Sequence, residues 1–230
     1  IVVRLVGSEM CIRDSPYGIF CLMSVLFAEK GITVLGDLSF YFFVVVFALL
    51  LHGFLTYSLF LVLFIKVNPL KFFNKIKSLM LFAFSTSSSN ATIPVTLKTV
   101  VDDIGVSRKI ASFTVPLGAT INMDGTAIMQ GVATVFIANA YSIDLSFADY
   151  LMVILIATLA SIGTAGVPGV GLIMLAMVLD QVGLPVEGIA LIIGVDRLLD
   201  MLRTVVNVTG DSTISTIVAN SENQLEQRNL

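Results

Sequence analysis

Apolar residues occur in long blocks along most of the chain, and short polar stretches separate these blocks. The longest block, residues 38–65, is bounded by Asp37 and Lys66 and can cross the roughly 30 Å apolar core of a bilayer as a tilted helix. A shorter apolar stretch at residues 16–27 precedes it. The pattern therefore predicts two membrane helices within residues 16–66.

The chain begins with residues 1–15, which have neither a long apolar core nor a small-residue cleavage site. They therefore lack the pattern of a secretory signal peptide. We expect them to be a non-native leader that takes no part in the fold.

Residues 67–106 carry basic clusters near both ends and a polar run, residues 85–94, in the middle. Basic clusters favour the cytoplasmic side, and the apolar piece between them is too short to cross the membrane twice. We therefore predict a re-entrant hairpin that enters and leaves on the cytoplasmic side. Irregular backbone at that depth requires surrounding protein or a wet cavity. A plain serine-rich cytoplasmic loop is the alternative.

Residues 107–141 form another long apolar segment, interrupted at residues 118–126 by glycine, asparagine, aspartate and threonine. Together these residue types are poor formers of a membrane helix. A broken transmembrane helix would offer free carbonyl and amide groups, which coordinate cations and substrates in transporters. The alternative is a kinked helix in which Asn122 and Asp124 satisfy each other.

Residues 146–182 repeat the hairpin pattern, with two apolar arms around a tip of small residues at 161–171. Glycines let the backbone approach a ligand closely, and Pro168 prevents one continuous helix. The preceding turn carries no basic residue, so this hairpin is expected to enter from the outer side. Two hairpin-plus-helix units that enter from opposite sides form an inverted repeat, which is an architecture of transporters.

Residues 185–221 form a last apolar helix with a stripe of charged and amide side chains, and residues 222–230 form a predicted cytoplasmic tail. The stripe covers an arc of roughly 80° on one helix face. Its members are Asp196, Asp200, Arg203, Asn207 and Asp211. Charges at membrane depth are costly, so this stripe predicts a site for a ligand that is both cationic and anionic. A soluble amphipathic helix is the alternative.

The composition defines the class of protein. Of the 230 residues, 57% are hydrophobic and 13% are charged, against about 25% charged in soluble domains. The chain is therefore predicted to be an all-α polytopic membrane protein. The net charge of −3 is too small to indicate a partner, and we expect no nucleic-acid ligand. His52 is the only histidine and no GxSxG motif occurs, which argues against a hydrolase. We interpret His52 as a packed or interfacial histidine and expect that the protein is not an enzyme.

Ordered motifs within residues 16–219 resemble the dicarboxylate/amino acid:cation symporters, which are bacterial and archaeal relatives of the excitatory amino acid transporters. The motifs are SSSNATIP at residues 87–94, GATINMDGT at 118–126, SIGTAGVPGVG at 161–171 and DMLRTVVNVTGD at 200–211. The resemblance implies a glutamate-transporter-like fold with two re-entrant helical hairpins and a broken transmembrane helix. Because it covers the C-terminal half of the family pattern, it implies a fragment that lacks the N-terminal half. It also implies a multi-pass protein of the bacterial inner membrane, in contact with lipid, and a homotrimer in the full-length protein.

The resemblance assigns a substrate site to the hairpin tips, the helix break and the polar helix. The guanidinium of Arg203 would bind the side-chain carboxylate of the substrate, and Asp200 would bind its ammonium group. The implied substrate-binding residues are Ser88, Ser89, Thr126, Val167, Gly171, Asp200, Arg203, Thr204 and Asn207. Ser87 stands where some archaeal relatives have arginine, and Asn90 replaces an aligned serine. Neither departure removes the main substrate group.

The resemblance also implies sodium as the transported coupling ion, with no organic cofactor. One ion would bind carbonyl groups and the Asp211 carboxylate, a second would bind backbone groups near the second tip, and a third would use Asn122 and Asp124. The implied ligands are Gly118, Thr120, Asn122, Asp124, Ser161, Ile162, Thr164, Asn207 and Asp211. Ligands that are all oxygen atoms suit hard cations.

The expected function is sodium-coupled symport of acidic amino acids, glutamate or aspartate, by an elevator-type movement of a transport domain. A C4-dicarboxylate or proton-coupled symporter of the same family is the alternative. Relatives that carry C4-dicarboxylates tend to lack the acids at Asp200 and Asp211, so the presence of both favours an amino acid. An ion channel and an inert fragment are the other interpretations left open.

Overall fold

The computed structural model describes residues 34–226 and, before them, only the isolated residues 17, 18, 20, 21, 24, 28 and 31. The leader predicted at residues 1–15 and most of the helix predicted at 16–27 lie outside the described residues. The described part of the chain is helical, with no β-strand and one isolated antiparallel bridge between Val106 and Leu225. The prediction of an all-α protein is confirmed for this part.

The α-helices of the described part follow one another with short connections. They are α1 (Val34–Leu51), α2 (Tyr57–Phe60), α3 (Pro69–Thr86), α4 (Ser89–Lys98), α5 (Arg108–Ile121), α6 (Asp124–Ala140), α7 (Phe147–Ile162), α8 (Val170–Gln181) and α9 (Ile189–Ser221). The π-helical turn His52–Thr56 joins α1 to α2, and the π-helical turns Leu61–Ile65 and Thr99–Ile104 extend α2 and α4. A 3-10 turn at Val186–Gly188 precedes α9.

The first helical stretch is the most apolar. Within the described residues, Gly36–Ile65 is the one helix both long and apolar enough to cross a membrane, with a mean hydropathy of 2.3. The helices α7 and α8 are apolar but shorter. Large apolar side chains of α1 and α7 face outward, as Phe43 and Ile154 do. An apolar surface of this extent is typical of a protein that contacts lipid or a partner.

The helices α3 and α4 form the first helix pair, and helix caps explain where this pair begins and where it turns. The Asn68 side chain accepts a hydrogen bond from Leu70 N at 2.9 Å, with Pro69 in the first helical position of α3. The helix ends at Thr86, and the following residue, Ser87, has a φ of 51° that turns the chain. Ser88 then caps α4 by accepting from Ala91 N at 3.1 Å. As a result α3 and α4 pack against each other around a serine-rich turn.

The helical path between α5 and α6 is interrupted at Asn122 and Met123. Asn122 has φ −98° and ψ 71°, and Met123 has φ −109° and ψ 47°, so neither is helical. The interruption is shorter than the stretch 118–126 that the sequence singled out, because Gly118 lies in α5 and Thr126 lies in α6. Two residues are enough to free backbone groups at two helix ends.

The long helix α9 is the centre of the fold and packs against α1, α3, α5 and α6. One apolar cluster joins α1, α6, α7 and α8 to the first half of α9, with Met129, Leu175 and Leu199 buried in it. A second cluster joins α3 and α5 to the rest of α9, with Phe72 and Val208 buried in it. The polar part of α9 falls where the helix passes from one cluster to the other.

After α9 the chain returns to the start of α5. Ser107 N donates to Gln224 O at 3.0 Å, and Glu226 N donates to Gly105 O at 2.9 Å. The Ser107 hydroxyl also bonds the Gln224 side chain at 2.7 Å. These bonds form the bridge noted above, and they fix the end of α9 beside the loop that follows the first helix pair.

A substitution at Gly210 provides a test of how closely α9 packs against its neighbours. A Cβ atom at Gly210 would collide with the Asn122 amide nitrogen and the Tyr57 hydroxyl. We expect Gly210→Ala to destabilise the fold by about 1–3 kcal/mol, because both groups would have to leave the positions in which they hydrogen-bond Asp124, Asn207 and Asp211. The measurement is the thermal unfolding temperature in detergent. Gly131→Ala is the control, since nothing lies within 4 Å of a Cβ there. Equal unfolding temperatures of the two variants would contradict the packing.

Candidate functional site

Arg203 lies at the centre of the candidate site and is only 1% exposed. Its Nη1 atom is 3.0 Å from Asp196 Oδ1, and its Nη2 atom donates to Asp200 Oδ1 at 2.8 Å. Spacings of seven and three residues place all three side chains on one face of α9. A buried guanidinium requires charged partners, and these carboxylates provide them.

The segment between α7 and α8 lies against this ion-pair cluster. Gly169 N donates to Asp200 Oδ2 at 3.1 Å. Gly169 has a φ of +80°, a conformation that other residues rarely adopt. A Cβ at Gly171 would lie 3.4 Å from both Arg203 Nη1 and Thr126 Cγ2. The backbone of this tip therefore closes directly over the charged groups of α9.

The helices α7 and α8 form the second helix pair. Its turn meets the turn of the first helix pair, α3 and α4, at Gly166. Its carbonyl oxygen accepts from the Ser88 hydroxyl at 2.6 Å and from Asn90 N at 3.1 Å. A Cβ at Gly166 would lie 2.9 Å from Asn90 Oδ1 and 3.0 Å from the Ala119 carbonyl oxygen. The absence of a side chain at Gly166 allows both tips and the end of α5 to come together.

Amide groups fill the interruption between α5 and α6. Gly125 N donates to Asn207 Oδ1 at 2.8 Å, which satisfies one free amide at the start of α6. Asn122 Nδ2 donates to Asn207 O at 3.1 Å and to Asp211 Oδ1 at 2.9 Å. Gly118 lies directly against the Asp211 carboxylate. The interruption therefore lies beside a concentration of carbonyl, amide and carboxylate oxygen atoms.

The structure brings part of the predicted substrate set together. Arg203 pairs with Asp200 and lies close to Gly171, which in turn lies close to Thr126. Thr204 follows on the same helix, and its hydroxyl donates to the Asp200 carbonyl oxygen at 2.9 Å. Ser88, Ser89 and Asn207 are also buried near this region of the tips and the helix break. Val167 differs, because its side chain is 44% exposed. The binding roles of these residues stay predictions.

The predicted sodium ligands fall into separate groups. Gly118, Asn122, Asn207 and Asp211 converge, as described above. Ser161, in the last turn of α7, and Thr164, just after α7, are buried, whereas Ile162 is exposed. Thr120 lies in the last turn of α5 and is also exposed. The helices α5 and α7 contact each other. Asp124, the first residue of α6, is held by hydrogen bonds to His52 and Tyr57.

Sequence reasoning missed several members of the site. Asp196 was on the predicted polar arc, and its spacing from Arg203 was the signal that could have identified their ion pair. The backbone groups of Gly166 and Gly169 carry no such signal, since side-chain patterns do not reveal backbone donors. His52 is half-buried, in agreement with a packed histidine, but its bond to Asp124 was not foreseen.

The model of the sodium:dicarboxylate symporter family matches residues 2–221, so the chain belongs to this family. Excitatory amino acid transporter 5 of Mus musculus is 42% identical over 206 residues, which cover 89% of this chain and 37% of that protein. An excitatory amino acid transporter of Caenorhabditis elegans is 41% identical over 222 residues, which cover 95% of this chain and 43% of that protein. Excitatory amino acid transporter 1 of Rattus norvegicus is 40% identical over 232 residues, covering 100% of this chain and 42% of that protein.

These comparisons confirm the resemblance seen in the sequence. They also confirm that the chain is not an enzyme, because the family and the relatives are transporters. The chain spans about two fifths of the length of the curated relatives it matches. The family match begins at residue 2. The non-native origin of residues 1–15 stays a prediction.

Asp196→Asn tests the buried ion-pair cluster. Removal of one partner of a buried pair typically costs about 3–5 kcal/mol, because the remaining charge is left uncompensated. We expect a clearly lower thermal unfolding temperature in detergent than for the unmodified protein. Asp180→Asn is the control, because Asp180 is exposed at the end of α8 and its loss should change stability by less than about 0.5 kcal/mol. A variant Asp196→Asn as stable as this control would show that the pair contributes nothing.

Proposed function

We propose that this chain forms the substrate- and cation-binding part of a sodium-coupled symporter of acidic amino acids, glutamate or aspartate. The observation that carries the proposal is the buried Arg203, held between two carboxylates under a glycine-rich tip. Its Nε atom is buried and has no hydrogen-bond partner among the described residues. A planar guanidinium with a free donor is suited to a carboxylate ligand.

The surroundings of Arg203 favour an amino acid over a plain anion. The carboxylate of Asp200 lies beside the guanidinium, at the edge that faces the second tip. A substrate carboxylate would take Arg203, and the substrate ammonium would take Asp200. The internal ion pair is thereby replaced by two pairs with the ligand, so both charges stay compensated. A ligand without an ammonium group would leave Asp200 facing an anion.

The same charges explain a need for cations. Two carboxylates and one guanidinium leave the cluster negative, and an acidic amino acid adds a further negative charge. Charge of this kind at membrane depth is costly. Sodium ions near Asp211, Asn122 and Asn207 would offset it, and the family description names sodium as the coupling ion. The oxygen atoms around the helix interruption fit a hard cation.

We further propose the architecture implied by the resemblance. Residues 67–106 and 146–182 form re-entrant hairpins from the cytoplasmic and outer sides, 107–141 form a broken transmembrane helix, and 185–221 form the polar transmembrane helix. The meeting of both tips at the Gly166 carbonyl supports this arrangement, because hairpins from opposite sides meet near the middle of the membrane. The outward apolar residues of α1 and α7 support contact with lipid.

The whole protein is proposed to be longer than this chain. We infer an additional N-terminal half that contributes to a homotrimer in a bacterial inner membrane, with the described helices moving as an elevator-type transport domain. The share of the relatives that the chain covers supports this inference. The experiments below therefore use the complete protein that contains this chain.

Calorimetry provides the main test. Aspartate and glutamate should bind the purified complete protein in sodium and not in choline. Asp211→Asn should remove most of the sodium dependence, because it deletes the buried carboxylate beside Gly118 and Asn122. Asp144→Asn, at an exposed position between α6 and α7, is the matched control and should bind as the unmodified protein does. Binding that ignores sodium, or that prefers succinate, would favour the proton-coupled or C4-dicarboxylate alternative.

Arg203→Cys tests the substrate contact. We expect aspartate affinity to fall by at least about 100-fold, because loss of a buried charged hydrogen-bond pair typically costs about 3–5 kcal/mol. Arg197→Cys is the control on the same helix, since Arg197 is exposed. Binding of a neutral amino acid such as serine shows whether the Arg203 variant still forms a pocket. Aspartate affinity that is equal in both variants would count against the assignment.

A further inference from the structure

Asp124 is held by two side chains from the first helical stretch. His52 Nε2 lies 3.1 Å from Asp124 Oδ2, and the Tyr57 hydroxyl donates to the same oxygen at 2.9 Å. The two rings are in edge contact, with centroids 5.1 Å apart and an interplanar angle of 73°. An ionised carboxylate only accepts, so His52 donates through Nε2–H.

The π-helical turn His52–Thr56 makes this arrangement possible. In a regular α-helix, residues five positions apart point about 140° away from each other. In a π-helical turn the hydrogen bonds run from residue i to i+5, so residues five apart lie on nearly the same face. The turn therefore aims His52 and Tyr57 together at α6. Isolated π-helical turns within α-helices are frequent at functional sites.

His52 and Tyr57 bind the Asp124 carboxylate through hydrogen bonds. Tyrosine and histidine side chains orient a carboxylate through hydrogen bonds and, unlike lysine and arginine, carry no permanent positive charge. Both bonds end on Oδ2, which leaves Oδ1 outside them. The Asp124 side chain is 35% exposed and that of His52 is 26% exposed, so the carboxylate is not enclosed by the protein. This is the arrangement of outer-shell groups that orient a metal ligand.

Tyr57 also connects this carboxylate to the helix interruption. Its side chain is only 1% exposed, and its hydroxyl lies against Gly210 of α9 beside the Asn122 amide. Asn122 in turn bonds Asp211. The position of Asp124 is therefore set by the same packing that sets the Asp211 group.

We propose that His52 and Tyr57 are positioning residues that orient Asp124 to bind a sodium ion. The inference rests on the proposed function, since it assigns two residues to the cation site of a sodium-coupled symporter. Neither residue touches the ion. They fix the plane of the carboxylate and keep Oδ1 turned toward the ion.

The test measures sodium binding without transport. The thermal unfolding temperature of the complete protein is followed as sodium replaces choline, in the absence of substrate. His52→Leu and Tyr57→Phe should each raise the sodium concentration for half-maximal stabilisation by about 10-fold, the lower end of the effect of lost outer-shell groups. His52→Gln should restore most of the affinity, because its amide nitrogen replaces Nε2. Tyr150→Phe, at an exposed position of α7, is the control for the loss of a hydroxyl.

Two further measurements separate positioning from general damage. Aspartate affinity at saturating sodium should be unchanged in His52→Leu and Tyr57→Phe. In the background of Asp124→Asn, His52→Leu should have no further effect on sodium binding, because the shared partner is already lost. If His52→Leu does not fold, Tyr57→Phe decides, since it keeps the ring and its packing.

The outcomes distinguish this inference from the proposed function. A sodium response in the unmodified protein that is unaltered in both variants overturns the positioning role and leaves the symporter proposal intact. An equal loss of sodium and aspartate affinity also overturns it, because it indicates a damaged fold. An unmodified protein without any sodium response overturns the proposed function itself.

Discussion

The burial of a guanidinium in an apolar helical fold is the constraint on which the rest of the structure depends. Arg203 cannot stay in this environment without anions, so Asp196 and Asp200 accompany it on α9. The carboxylates in turn need donors, and Asp200 takes one from the backbone of the second tip. The second tip can approach the charged groups of α9 this closely because residues 169 and 171 are glycines. Packing and backbone conformation at the site thus follow from one charge.

Three irregular backbone regions meet around this charge. The first tip, the second tip and the interruption at Asn122 and Met123 each free backbone groups that a continuous helix would have used. Their bonds to one another, to Asn207 and to Asp200 satisfy some of these groups. The remaining oxygen atoms are those a hard cation could use. The features that weaken the helices are therefore the same ones that build the candidate site.

The sequence predicted the parts of the fold that depend on regular periods. The polar arc of α9 was visible because α-helical geometry is constant over the whole helix, and the interruption was visible because Gly118, Asn122 and Gly125 cluster in an apolar segment. The length of the interruption was overestimated, since most of those residues still fit a helical turn. The contact of His52 and Tyr57 with Asp124 could not be read from an α-helical period. A π-helical turn changes the period locally, and the apolar sequence around it gives no sign of the change.

The bridge between residues 105–107 and 224–226 has a mechanical consequence. The loop after α4 and the residues after α9 are far apart in the sequence, yet backbone hydrogen bonds fasten them together. The chain between them, from α5 to α9, is therefore closed into a ring. A displacement of the first helix pair is therefore transmitted to α9 through these backbone hydrogen bonds as well as through side-chain packing. The one helix that carries both Arg203 and Asp211, α9, is thus coupled to the loop before α5 at its far end.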